Sequence, residues 1–313
     1  MTTRTEHDRK ASDIASVTVL GTGVLGSQIA YQTAYCGFDV TAYDISDEIL
    51  EGAKHRFAGL AARYELEVDG AVGGRAQAAL GRIAYSSELA VAVREADLVI
   101  EAVPEVLNLK REIYAELGKT APAGTIFATN SSTLLPSAMA DSTGRPDRSL
   151  ALHFADPVWS SKFAEIMGHD TTDPSAYQAV VDFARRIGME PIELTKEQPG
   201  YVLNSLLVPF LRAGLDLLVD DVADPATIDK VWRIFASAPE GPFQMIDRIG
   251  LNTIFNVSAL GDERAQRIAT YLKEHYIDHG KLGVATGEGF YTYPTVEEMS
   301  QRRAPAETAS GRS

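Results

Sequence analysis

Short apolar runs and longer stretches of helical periodicity alternate along the first two thirds of the chain. Residues 16–20 (SVTVL) form a β-rich run. Gly21-Thr22-Gly23-Val24-Leu25-Gly26 follows, and SQIAYQTAYC then predicts a helix that Gly37 stops. A second strand is expected at 38–43, ending on Asp44. Residues 47–81 are rich in Ala, Glu, Lys and Arg and predict a helical hairpin, broken near 69–74. Strands are expected at 82–86, 97–103, 125–129 and 149–154, with helices at 88–95, 107–119 and 135–141 between them. Two more strands, at 162–167 and 190–194, extend the series. Such alternation predicts a mostly parallel sheet with helices on both faces.

The texture changes near Gln198-Pro199-Gly200, and beyond it the pattern is helical. Residues 202–219 carry Leu203, Leu206, Leu207, Phe210, Leu211, Leu215 and Leu218. A helix so apolar all round is buried, in a core or in a subunit interface. The next helix, at 224–237, has Asp224 as N-cap and Pro225 at its first position. Helices at 242–250 and 251–260 and an amphipathic one at 262–279 complete the set. The predicted organisation is an α/β domain at 13–197 and an all-α domain at 198–294. Polar tails are expected at 1–12 and 295–313.

Composition narrows the function classes. The net charge of −14 over 313 residues argues against nucleic-acid binding, which needs a basic surface. No uninterrupted apolar run reaches the roughly 18 residues that suggest a membrane span. Cys36 is the one cysteine, which excludes an intrachain disulfide and fits a cytoplasmic location. No metal is expected.

Gly21-x-Gly23-x-x-Gly26 lies between a strand and a helix, and Asp44 stands 18 residues after the third glycine. The first glycine permits a tight turn, the second lets backbone approach a pyrophosphate, and the third lets helix and strand pack closely. The start of the helix, with Val24 and Leu25, then faces the anion. Asp44 suits the adenosine ribose hydroxyls and repels a 2′-phosphate, so NAD is expected over NADP. The fold class is thus a Rossmann-type doubly wound α/β sheet with a helical-hairpin insertion, followed by the all-α domain.

The stretch from Asn130 to Glu165 holds Asn130-Ser131-Ser132-Thr133, then His153-Phe154-Ala155-Asp156-Pro157, then Glu165. A neutral imidazole backed by a carboxylate and flanked by hydroxyl and amide groups can take a proton from an alcohol. With a nicotinamide in the same fold, this is alcohol–ketone redox chemistry.

From about Val17 to Pro294 the chain resembles the 3-hydroxyacyl-CoA dehydrogenase family. The resemblance rests on GTGVLGSQIA, VIEAVPEVLNLK, ATNSST, HFADP with Glu165 twelve residues after His153, QPGYVLNSLLVPF, APEGPFQMID and TGEGFYTYP. It implies NAD-dependent, reversible oxidation of a (3S)-3-hydroxyacyl thioester. His153 is then the general base and Glu165 its partner, while Ser132 and Asn204 hydrogen-bond the substrate oxygens. Glu105 and Lys110 match positions near the nicotinamide ribose. By resemblance the hairpin helps to hold CoA, and the C-terminal domain pairs two copies into a homodimer.

Three departures bear on the substrate. Asp156 stands where the family has an asparagine that helps to place the nicotinamide. Glu240-Gly241-Pro242-Phe243 replaces Met-Gly-Pro-Phe, and Asn204-Ser205 replaces Asn-Arg. Free hydroxy acids, such as gulonate or carnitine, and acyl groups on a carrier protein are therefore rival substrates. A dinucleotide-binding protein without turnover is the non-enzymatic alternative.

Overall fold

The structure, a computed structural model, describes residues 14–293. The expected tails lie outside the described residues. The chain divides between Val202 and Leu203 into two compact units.

The first unit opens with β1 (Ser16–Leu20), α1 (Val24–Tyr35) and β2 (Asp39–Tyr43). The hairpin follows as α2 (Asp47–Glu67) and α3 (Arg75–Leu80). Ser46 starts α2 by accepting from the Ile49 amide. Then come β3 (Ile83–Ser86), α4 (Leu89–Ala92), β4 (Leu98–Glu101), α5 (Leu107–Thr120), β5 (Ile126–Thr129) and α6 (Ser137–Ala140). The series ends with β6 (Ser149–Phe154), α7 (Val158–Ser161), β7 (Phe163–Met167), α8 (Pro174–Arg186) and β8 (Glu190–Leu194).

These strands form one sheet in the order β3-β2-β1-β4-β5-β6-β7-β8. The first six are mutually parallel in the doubly wound order expected of a dinucleotide fold. Every residue of β4, β5 and β6 is buried, because helices cover both faces. Alternate side chains go to opposite cores: Leu98, Ile100, Ile126 and Ala128 to one, Val99 and Phe127 to the other.

Two features depart from the sequence expectations. Helix α8, between β7 and β8, is not among the predicted elements. Its signals are local: Asp173 accepts from the Ser175 and Ala176 amides, and Pro174 occupies the first turn. The helix near 88–95 is also short, ending at Ala92. Strand β7 runs antiparallel to β6, the one reversal in the sheet, and it sets the register of the site.

The helical unit contains α9 (Tyr201–Val219) from Leu203 onward, α10 (Pro225–Ala236), α11 (Pro242–Ile249), α12 (Leu251–Ala259) and α13 (Glu263–His275). Leu211, Leu215, Phe243, Ile246, Leu251, Ile268 and Leu272 form its core. Helix α9 buries one face only; Leu206 on another face is 69% exposed. By length and composition α9 is apolar enough to cross a bilayer. Arg212 pairs with Asp262 at 2.6 Å and Arg264 with Asp216 at 2.6 Å, which ties α9 to the start of α13.

Two buried carboxylates organise this unit. Asp229 accepts from the Phe243 and Gln244 amides, so it caps α11 from α10. Asp247 accepts from the Phe290 and Tyr291 amides and from the Tyr293 hydroxyl. Gly241 and Gly289 sit so close that a Cβ would stand 2.5 Å and 2.1 Å from these carboxylates. The glycines and tyrosines of APEGPF and TGEGFYTY therefore serve two buried anions.

Candidate active site

The glycine loop joins β1 to α1. Gly21 has φ +91°, and a Cβ there would stand 2.6 Å from the Ala102 carbonyl oxygen. A Cβ on Gly26 would stand 2.0 Å from the Gly21 oxygen, so only glycine lets α1 pack this close. A Cβ on Gly23 would meet nothing within 4 Å, so this side of the loop backbone is open to a ligand. Val24 and Leu25 then begin α1, whose first amides are the donors that bind phosphate.

Asp44 follows β2 beside this loop. Its Oδ2 accepts from the Thr22 amide at 2.8 Å and the Thr22 hydroxyl at 2.6 Å. The carboxylate is thereby held next to the loop. Arg56 of α2 donates to the Thr22 carbonyl at 2.9 Å and adds a cation to the same loop. Sequence reasoning missed Arg56, since nothing in a charged helix marks one arginine as turned towards the loop. The cradle fits NAD.

The antiparallel register of β6 and β7 brings His153 opposite Glu165. His153 Nδ1 lies 3.0 Å from Glu165 Oε2, with both residues buried. The other carboxylate oxygen, Oε1, accepts from the Val202 amide at 2.9 Å, in the first turn of α9. A helix start favours a negative charge at that point. On the other side of the imidazole, Nε2 lies 3.1 Å from Ser132 Oγ. With Nδ1–H donated to Glu165, Nε2 carries the lone pair. Asn130 Oδ1 accepts from the Phe154 amide and ties the end of β6 to the end of β5.

Beneath the Ser132 loop lies a second charged network. Lys110 of α5 is 1% exposed; its ammonium stands 2.7 Å from Glu101 and 3.2 Å from Glu105. It is therefore not a solvated helix charge. Glu101, at the end of β4, also accepts from Thr129 Oγ1 and the Val103 amide. Glu105 accepts from the hydroxyls of Ser131 and Thr133 and from the Thr133 amide. Partial burial raises the Glu105 pKa, but these hydrogen bonds and Lys110 outweigh it and hold the carboxyl down at about 2. Lys110, Glu101 and Glu105 thus hold the loop carrying Ser132.

Asp156 follows β6, and its Oδ1 accepts from Gln28 Nε2 at 2.8 Å; Gln28 lies on α1 and also accepts from the Val158 amide. The residue that departs from the family is thus anchored to the helix that opens the cofactor cradle. Asn204 lies in the first turn of α9, half-buried, on the helical side of the division. Tyr201 was visible only as part of the block QPGYVLN. Its ring lies flat on the His153 imidazole, with centroids 4.4 Å apart and planes 9° apart. Its hydroxyl donates to the Ser131 carbonyl at 2.7 Å. Among the described residues no group of acids, histidines and cysteines is placed to hold a metal ion.

Comparison with known proteins agrees with this geometry. The family model described as 3-hydroxyacyl-CoA dehydrogenase, NAD binding domain, matches residues 16–198, and the corresponding C-terminal domain model matches 200–293. The mitochondrial hydroxyacyl-coenzyme A dehydrogenase of Rattus norvegicus is 33% identical over 90% of this chain and 91% of its own. A probable 3-hydroxybutyryl-CoA dehydrogenase of Bacillus subtilis is 32% identical over 90% of this chain and 98% of its own. Among solved structures, a diketoreductase described as acting on dicarbonyl compounds is 64% identical, with a TM-score of 0.87 over 90% of this chain and 99% of that one. The (S)-3-hydroxybutyryl-CoA dehydrogenase of Ralstonia eutropha is 29% identical, with a TM-score of 0.76 over 90% of this chain and all of that one (100%). With family models spanning both units and the cradle built for its cofactor, the chain belongs to the 3-hydroxyacyl-CoA dehydrogenase family of NAD-dependent oxidoreductases.

Proposed function

We propose that the protein interconverts a (3S)-3-hydroxyacyl-CoA and its 3-oxo form, with His153 as the general base. The observation that carries this reading is the line of contacts from Ser132 through His153 to Glu165. NAD, bound at Gly21–Gly26 and Asp44, supplies the hydride acceptor. Glu165 holds Nδ1–H and leaves the Nε2 lone pair to take the proton of the substrate hydroxyl. As the imidazolium forms, Glu165 and the helix start behind it balance the new charge. By the family resemblance Ser132 and Asn204 would hydrogen-bond the substrate oxygens, and Asp156 would help to place the nicotinamide. Glu105 and Lys110, paired at 3.2 Å, would lie near the nicotinamide ribose.

A second reading is favoured by the high identity to the diketoreductase: the substrate is a 3-oxo or 3-hydroxy compound that carries no CoA. In the hairpin Lys54 is paired with Glu51 and Arg63 with Glu67, while Arg56 and Arg75 keep their charge, donating to the Thr22 carbonyl and lying over the Tyr35 ring. Carrier-bound acyl groups and free hydroxy acids belong to the same test. A panel of acetoacetyl-CoA, acetoacetyl-carrier protein and ethyl acetoacetate with NADH, and of gulonate with NAD, separates these substrates. Preference for acetoacetyl-CoA supports the first reading, and turnover confined to the compounds without CoA overturns it.

The helical unit exposes Leu206, Ile234, Phe235 and Leu260, and we assign this apolar surface to a homodimer. Light scattering of the full chain tests it; a monomer at micromolar concentration overturns it. A cytoplasmic location, suggested by the lone Cys36, belongs to the same proposal.

A further inference from the structure

Tyr201 is the first residue of α9 and the only aromatic ring recorded against the catalytic imidazole among the described residues. It is 1% exposed, and it takes a left-handed backbone conformation, φ +54°, which side chains other than glycine adopt at a cost. That conformation follows Pro199-Gly200 and lets one residue do two things. The ring lies on His153, and the next amide, of Val202, points at Glu165. The hydroxyl end reaches the Ser131 carbonyl, one residue before Ser132. Tyr201 therefore touches, directly or through one peptide, all three members of the line from Ser132 to Glu165.

We propose that Tyr201 is a positioning residue whose ring fixes the plane of the His153 imidazole and whose hydroxyl anchors that ring to the Ser132 loop. The inference rests on His153 being the base. An imidazole bonded to Glu165 at Nδ1 and to Ser132 at Nε2 can still rock about the line joining these two contacts; a parallel ring at 4.4 Å removes that freedom. The same ring face meets the imidazolium that forms during oxidation, an attraction between a cation and a π face. The hydroxyl stays a neutral donor, because burial and then the nearby carboxylates of Glu105 and Glu165 push its pKa well above the ordinary tyrosine range. The charged groups around the pair are Glu165 on β7, Glu105 after β4, Glu101 on β4 with Lys110 of α5, and Glu197 before α9.

The test compares Tyr201→Leu and Tyr201→Phe in the full-length protein. Oxidation of (3S)-3-hydroxybutyryl-CoA and of ethyl (3S)-3-hydroxybutanoate is followed across pH, beside NADH affinity and His153→Gln as reference. Leucine keeps the site dry but removes the ring. We expect kcat to fall about 100-fold, as for a misplaced catalytic group, with NADH affinity unchanged. The acid limb of kcat/KM should move down by on the order of half a pH unit as the imidazolium loses the ring face. Phenylalanine should restore the limb and bring kcat back to within about tenfold. Wild-type kcat in Tyr201→Leu overturns the proposal, as does a loss of kcat with an unmoved acid limb or a loss that Tyr201→Phe shares in full. If His153→Gln is fully active, the base assignment fails instead, and the two failures are distinguishable.

Discussion

Lys110 donates to Glu101 across 2.7 Å, and neither side chain reaches solvent. The pair sits below the loop of Ser131 and Ser132, at the end of the central strand β4. Lys110→Met would leave a buried carboxylate with the Val103 amide and the Thr129 hydroxyl but no cation. Breaking such a pair from one side costs about 3–5 kcal/mol. Urea denaturation should show that loss, and the double change Lys110→Met with Glu101→Gln should recover most of it. Equal stability of the single variant and the wild type would show that the pair does not hold the loop.

Glu105 sets a pH dependence with a defined sign. Its carboxyl has a folded-state pKa of about 2, below its ordinary value of 4.5. A lowered pKa means that the anion is favoured in the folded state. The stabilisation is fully present above about pH 4.5 and is lost as pH falls towards 2. Melting curves for wild type and Glu105→Gln should therefore converge as pH drops through that window and differ above it. Glu105 is partly exposed, so solvent screening keeps the difference small. A constant difference across the window would contradict the assignment.

Cofactor choice follows from Asp44. A 2′-phosphate would meet its carboxylate, which Thr22 holds in place. Asp44→Ser should raise the KM for NAD more than that for NADP, and Arg56 beside the same loop should help the phosphate once the repulsion is gone. Steady-state kinetics with both cofactors measures this. An unmoved NAD-to-NADP preference would remove Asp44 from the ribose site.

Much of this was legible in the sequence, and the gaps have physical causes. The glycine spacing marked the turn from β1 to α1 because Gly21 and Gly26 leave no room for a Cβ. The twelve-residue spacing from His153 to Glu165 suggested a pair, but not that they stand opposite each other; that needs the one antiparallel turn of the sheet. Helix α8 went unseen, although Asp173-Pro174 gives the same start signal as Asp224-Pro225. Lys110 sits beside Arg111 and Glu112 in what looks like a solvated face, and only the loop packing above shows it buried. Tyr201 reaches His153 through a positive φ that no side-chain pattern reveals.

The central claim is that His153 removes the hydroxyl proton while the cradle binds NAD independently. The most direct measurement is kcat of His153→Gln, with the affinity for NADH determined on the same preparation. The account predicts a fall of roughly 100-fold or more in kcat, as for a lost general base, with NADH affinity unchanged. A variant with near-normal kcat would contradict it.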